Sequence, residues 1–180
     1  MQLHTALQRQ TRVLASNGWR LLKPSGNGKA GMDITWITNS LAVGGGIWNA
    51  ENMAALARDG VTHVLDMQIE FDDTPLAQPH GIEVLWNPTD DDFQLKDPEL
   101  FERGVQFAQD AMEREGKVFI HCAAGVHRAP MMMLAVLCSE GWEIADAIEL
   151  ISARRPVVDF AEVYVNSVER FLQQQVRAGK

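Results

Sequence analysis

The sequence predicts an α/β fold in which helices flank a central, mostly parallel sheet. Two observations carry this prediction. Strand and helix patterns alternate along the chain after residue 31, and the run from Val118 to Ile120 is apolar enough for a buried strand. Elements in this alternation pack as helices over a parallel sheet. A chain of 180 residues is long enough to give one such domain its own core.

The expected strands are short apolar segments separated by turn-forming residues. In chain order they cover residues 33–37, 41–43, 61–67, 82–86 and 118–120.

The expected helices show apolar residues at helical spacing. The clearest begins at Asp97 and Pro98, an N-cap followed by a proline in the first turn, continues with Phe101 and Val105 on one face, and ends at Gly116. The other predicted helices cover residues 50–58, 131–138, 143–152 and 160–174.

The chain divides into two parts. We predict an N-terminal helical appendage and linker over residues 1–30, and the main domain over residues 31–180. The appendage contains a possible helix at residues 5–22, and residues 24–31 are rich in the glycine, proline and polar residues typical of a linker.

Charge and cysteine content narrow the class of protein. The formal net charge is −8, from 16 basic and 24 acidic residues, which argues against nucleic acid or an anionic membrane as the main partner. The two cysteines, Cys122 and Cys138, and the lack of a secretory signal fit a reducing cytoplasm. The longest apolar run, residues 130–138, is too short to span a bilayer. We therefore expect a cytoplasmic protein.

The most informative segment is the loop from Cys122 to Arg128, which follows a predicted strand and opens a helix. A loop in this setting directs backbone N–H groups and a helix N-terminus at one anion. Gly125 permits the positive φ that such a cradle requires. The guanidinium of Arg128 can hold two phosphate oxygens, and the positive surroundings favour a nucleophilic thiolate. We expect phosphate contacts from Ala123, Ala124, Gly125, Val126, His127 and Arg128.

The segment His121-Cys122-x-x-Gly125-x-x-Arg128 resembles the HCxxGxxR core of the protein tyrosine phosphatase superfamily. Residues 33–174 are similar to a small atypical dual-specificity phosphatase, with residues 37–45 and Arg155-Pro156 also typical. The resemblance implies a dual-specificity phosphatase-like fold, with residues 31–180 as the phosphatase domain. It also implies hydrolysis of a phosphorylated protein or small phosphate monoester through a phosphocysteine intermediate, without a metal or other cofactor.

The same resemblance implies a general acid about thirty residues before the cysteine. Asp90 lies 32 positions before Cys122 and best matches it, while Asp91 and Asp92 remain alternatives. His121 is interpreted as an orienting histidine of the core. The role of His127 stays open between a substrate contact and an exposed loop residue.

Position 129 departs from the family pattern, because alanine replaces the usual serine or threonine. Ala129 offers no hydroxyl to the cysteine sulfur, so breakdown of the intermediate is expected to be slow. A catalytically weak phosphate-binding module is therefore an alternative, and a rhodanese-type sulfurtransferase is another. The loop carries no lysine, which favours a phosphoprotein or small monoester over a highly charged head group. Cys138 lies among apolar residues and is expected to be structural.

Overall fold

The computed structural model describes residues 32–178 of the chain. The predicted helix at residues 5–22, the linker and the proposed boundary at residue 30 lie outside this range. The described strands are β1 (Ile34–Trp36), β2 (Leu41–Gly44), β3 (His63–Asp66), β4 (Glu83–Trp86) and β5 (Val118–His121). The described α-helices are α1 (Ala50–Arg58), α2 (Thr74–Ala77), α3 (Pro98–Glu113), α4 (Arg128–Ser139), α5 (Ile144–Arg154) and α6 (Glu162–Ala178).

The strands form one sheet in the order β1-β2-β5-β3-β4. Strands β2, β5, β3 and β4 are parallel, and β1 pairs antiparallel with β2. The predicted, mostly parallel sheet is therefore confirmed. The central strand β5 brings His121 into register with Gly44 on one side and Asp66 on the other. The carboxyl ends of three strands consequently meet where the loop from Cys122 begins.

Two apolar layers cover the sheet. Val43, Leu65 and Ile120 face a core formed with α3, α4, α5 and α6, whereas Ala42, Val64 and Phe119 face a smaller core with α1 and α2. This alternation follows from the two-residue period of a strand. Helix α4 is buried along nearly its whole length, from Arg128 to Leu137. The residue that opens α4 is thereby held rigidly by the core.

The helices match the prediction closely, with two differences. Helix α4 begins at Arg128, three residues before the predicted start, so its N-terminus belongs to the loop. Helix α2 and the following 3-10 turn, Gln78–His80, were not predicted. Each of these turns carries a proline near its start, and neither is long enough to show helical periodicity. Within the described range, no helix has both the length and the apolarity needed to cross a membrane.

Candidate active site

The loop between β5 and α4 is shaped by one glycine. Gly125 has a φ of 64°, and a Cβ atom built on it would lie 2.5 Å from the backbone carbon and oxygen of Gly44. A side chain is therefore excluded by both the backbone conformation and the close approach of β2. The prediction that Gly125 adopts a positive φ is confirmed.

Cys122 lies at the floor of this loop and is only 2% exposed. The Gly125 N–H donates a hydrogen bond to its Sγ over 3.3 Å. This amide donor and the N-terminus of α4 both stabilise negative charge on the sulfur. The predicted nucleophile therefore lies at the base of the loop, next to a backbone donor and the N-terminus of α4.

Arg155 braces the loop from behind. Its guanidinium donates to the carbonyl oxygens of Gly125 (2.8 Å) and Ala124 (3.2 Å). The same group donates to both carboxylate oxygens of Asp33, at 2.7 and 2.6 Å, and this contact holds the pKa of Asp33 below its usual value. Because these carbonyls are bound from behind, the loop amides are free to point into the cradle.

Arg128 is buried at the other side of the cradle. Its two terminal nitrogens donate to the carboxylate of Glu70 at 3.0 and 2.9 Å, and one also donates to the Thr89 carbonyl. Burial opposes the charged form, but the hydrogen bonds to Glu70 raise the pKa of Arg128 above its usual value. The Nε–H is buried and has no acceptor among residues 32–178. Glu70 therefore fixes one end of the guanidinium while the Nε side retains an unused donor.

The residue before Cys122, His121, belongs to a polar cluster with Asp66 and Asp73. All three side chains are fully buried. His121 Nε2 is 2.7 Å from Asp73 Oδ2 and 3.6 Å from Asp66 Oδ1. Burial raises the pKa of Asp66 to about 7. These three side chains have ligand atoms within 4.8 Å of one another, so they also form the candidate metal group of residues 32–178. His121 lies in the core, as predicted, and its orienting role stays a prediction.

The three candidate acids lie on residues 87–97, which we term the acid loop. Their contacts differ. Asp91 binds His127 Nδ1 through one oxygen (3.0 Å) and the Tyr164 hydroxyl through the other (2.9 Å). Asp92 contacts Lys96, which lowers the pKa of Asp92 and keeps it ionised. Asp90 is exposed, and its Oδ1 accepts the backbone N–H of Asp91.

The supports of the loop and of the acid loop come from segments that no sequence motif connects to Cys122. Glu70 and Arg155 reach the loop from distant segments, and Tyr164 reaches the acid loop from α6. The resemblance marks the pair Arg155-Pro156 without giving Arg155 a role. This pair is the sequence signal for the support from Arg155, whereas nothing in the local sequence pairs Glu70 with Arg128.

A buried cysteine under a loop amide and a buried arginine, both at the carboxyl edge of a parallel sheet, form the arrangement of a cysteine-loop phosphatase fold. The family model for the dual specificity phosphatase catalytic domain matches residues 46–174. The chain belongs to this family.

Relatives and solved structures agree with this assignment. The chain is 30% identical over 130 residues to a Dictyostelium discoideum protein named probable rhodanese domain-containing dual specificity protein phosphatase, covering 72% of this chain and 27% of the relative. It is 26% identical over 128 residues to protein phosphatase Slingshot of Drosophila melanogaster, covering 71% of this chain and 12% of the relative. The chain thus spans about a quarter or less of the length of these two relatives.

Two solved structures share the fold. DUSP15 superposes with a TM-score of 0.70 at 24% identity, covering 83% of this chain and 95% of that chain. PTPMT1 superposes with a TM-score of 0.72 at 23% identity, covering 81% of this chain and 98% of that chain. These similarities support the predicted dual-specificity phosphatase-like fold.

Proposed function

We propose that this protein hydrolyses phosphate monoesters through a phosphocysteine intermediate. The observation that carries the proposal is the buried Nε–H of Arg128, which has no acceptor within residues 32–178, together with the Gly125 N–H that donates to the sulfur of Cys122. A buried donor without an acceptor is costly, and a phosphate oxygen would satisfy it. Residues 123–127 supply the backbone amides of the cradle, as the sequence predicts.

The chemistry proceeds in two displacements. The Cys122 thiolate attacks phosphorus, the bond to the ester oxygen breaks, and an acid gives that oxygen a proton. Water then attacks the phosphocysteine and gives a proton to the same carboxylate, and the sulfur leaves as thiolate. Arg128 and the amides stabilise the charge on the transferred group in both steps.

We infer that Asp90 is the acid. Both oxygens of Asp91 are occupied by His127 and Tyr164, and Asp92 is held ionised by Lys96. Asp90 is exposed, and its one side-chain hydrogen bond within residues 32–178 leaves Oδ2 available for a proton. The predicted spacing of 32 residues to Cys122 points to the same residue. The matched pair Asp90→Asn and Asp92→Asn tests this choice, because only the first removes the proposed proton donor and both variants keep Asp91 in place.

The surroundings of the site favour a substrate without additional negative charge. Glu70 and Asp159 have side chains 46% and 66% exposed near the loop, where they repel further anionic groups. Exposed apolar side chains stand on the same loops and suit a polypeptide: Ile69, Phe71 and Phe93. One similar structure is PTPMT1 in complex with PI(5)P, at 20% identity, a level that shows the fold alone. We therefore propose a phosphoprotein or small monoester, and no nucleic acid or membrane partner.

The second candidate is a phosphate-binding module with little turnover. Ala129, fully buried in the first turn of α4, motivates it because no hydroxyl stands there to assist the departing sulfur. Family membership favours both the hydrolase and the phosphate-binding module over a rhodanese-type sulfurtransferase. Neither Cys122 nor Cys138 is in a disulfide, which fits the proposed cytoplasmic location.

The decisive experiment measures turnover of p-nitrophenyl phosphate by the full chain in the presence of EDTA. We expect turnover that is lost in Cys122→Ser and in Arg128→Lys, and retained in the matched control Cys138→Ser. Phosphate bound covalently to the acid-quenched protein identifies the intermediate. Equal activity in the parent and Cys122→Ser contradicts the mechanism, and tight phosphate binding without turnover supports the second candidate.

A further inference from the structure

His127 lies between two carboxylates on two different segments. Its Nδ1 is 3.0 Å from Asp91 Oδ2 on the acid loop, and its Nε2 is 3.4 Å from Asp159 Oδ2 before α6. The backbone N–H of Asp159 also donates to the carbonyl of Val126. The side chain is 20% exposed. His127 therefore faces neighbouring protein segments rather than open solvent, and neither expected role for it describes this arrangement.

The partner of His127 on the acid loop is held from its other side. The Tyr164 hydroxyl donates to Asp91 Oδ1 and accepts the N–H of Phe93 over 3.0 Å. Burial raises the pKa of Tyr164 to about 12, so the hydroxyl keeps its proton. The Phe93 ring packs edge-on against the imidazole, with 5.1 Å between centroids. The acid loop is thus fastened to both α6 and the phosphate cradle.

One more hydrogen bond connects this network to the proposed acid. The backbone N–H of Asp91 donates to Asp90 Oδ1 over 2.8 Å. The position of the Asp90 carboxyl therefore depends on where Asp91 is held. His127, the residue before Arg128, contacts Asp91 directly. The connection from the cradle to the acid consists of one side-chain contact and one backbone hydrogen bond.

We propose that His127 is a positioning residue that fixes the acid loop over the phosphate cradle before substrate arrives. It acts through Asp91 and does not touch the reacting atoms. A preset acid avoids a loop closure during turnover, because the contacts that hold Asp91 and Asp90 are already formed in the unliganded protein. The kinetic part of this proposal rests on the proposed function, whereas the fastening of the loop does not.

The side-chain geometry supplies a matched set of variants. Asparagine carries an amide nitrogen at the same distance from Cβ as Nδ1, so His127→Asn retains a donor for Asp91. His127→Gln places its nitrogen nearer the Nε2 position, and His127→Ala has no donor. His80 is an exposed histidine in the 3-10 turn, and His80→Asn is the control for the histidine substitution itself.

The first test needs no catalysis and is carried out in Cys122→Ser chains by amide hydrogen exchange. We expect His127→Ala to accelerate exchange across residues 90–96 by about ten-fold, since one hydrogen bond to a charged group is lost. His127→Asn should remain within about three-fold of the parent, like His80→Asn. Unchanged exchange in His127→Ala overturns the proposal, as does equally fast exchange in the alanine and asparagine variants.

The second test compares leaving groups. Phenyl phosphate needs the acid more than p-nitrophenyl phosphate does, because its leaving oxygen is more basic. We expect His127→Ala to lower kcat/KM for phenyl phosphate about ten-fold more than for p-nitrophenyl phosphate, with recovery in His127→Asn. The ratio kcat/KM covers only the steps up to phosphocysteine, so a slow second step does not mask the effect. Equal losses on both substrates refute positioning, and if the parent lacks turnover, the exchange result alone decides.

Discussion

Replacing Arg155 with methionine should collapse the cradle without touching a residue that contacts phosphate. Methionine retains much of the apolar stem but none of the donors. The five hydrogen bonds that are lost go to the carbonyls of Gly125 and Ala124, the hydroxyl of Thr35 and both oxygens of Asp33. The loop carbonyls can then turn inward, and the amides that face the anion turn away.

The expected loss of stability in Arg155→Met follows from how far Arg155 and Asp33 are buried. Removing one partner from a buried ion pair costs about 3–5 kcal/mol when the remaining charge stays buried. The side chain of Asp33 is 56% exposed and can regain water, so the cost falls below this range and comes mainly from the loop carbonyls that lose their donor, about 2 kcal/mol. For a domain of this size that lowers Tm by roughly 4–8 °C. The anion affinity should fall about ten-fold or more as the amides lose their alignment.

Calorimetric unfolding and vanadate titration, both in Cys122→Ser chains, measure these two effects. Asp33→Ala should cost less than Arg155→Met, because the bonds from Arg155 to the loop carbonyls remain. Arg170→Met, at an exposed position on α6, is the control for losing an arginine. A Tm within about 2 °C of the parent, together with unchanged vanadate affinity, would refute the bracing role.

Three further predictions concern the cradle and the cluster behind it. Gly125→Ala should lower the free energy of unfolding by about 2 kcal/mol or more in urea, because its φ of 64° disfavours a side chain and the Cβ meets Gly44; an unchanged midpoint contradicts this. Ala129→Ser should raise kcat about five-fold and abolish a pre-steady-state burst, since a hydroxyl stabilises the departing thiolate of Cys122; a persistent burst at unchanged kcat refutes it. Burial raises the pKa of Asp66 from 3.8 to about 7, so the folded protein keeps a proton that the unfolded chain releases. Stability should therefore decline as pH rises from about 4 to 7 and then level off, and Asp66→Asn should show a flatter profile in urea unfolding; parallel profiles argue against this origin.

The sequence was sufficient for features that are encoded locally. The strand before Cys122, the glycine at position 125 and the helix after Arg128 lie within one short segment, so their geometry follows from that segment alone. The parallel sheet was predictable for a similar reason, because alternation of strands and helices leaves few other topologies. The predicted strand at residues 33–37 includes Asp33, but β1 begins at Ile34. Asp33 lies just before the strand, where its side chain binds Arg155.

The supports of the site required the structure because their partners are distant in the chain. Glu70 lies 58 residues before Arg128, and neither residue's neighbours indicate the pairing. Spacing narrowed the acid to three adjacent aspartates, but it could not separate them. Their difference depends on Tyr164, 73 residues from Asp91, and on which side chains α6 directs toward the loop. Such pairings arise from tertiary packing, which periodicity does not encode.

The ion pair between Asp33 and Arg155 joins positions 122 residues apart, near the two ends of the described domain. During synthesis the cysteine therefore leaves the ribosome before the residue that braces its loop. Closing so long a segment carries a larger entropic cost than local contacts do, so the cradle is completed late in folding. Until then the chain exposes a thiol that has neither its ring of amides nor its burial. The anion cradle and the finished fold should consequently appear together, so the thiol gains its amide donor and its burial only when the domain is complete.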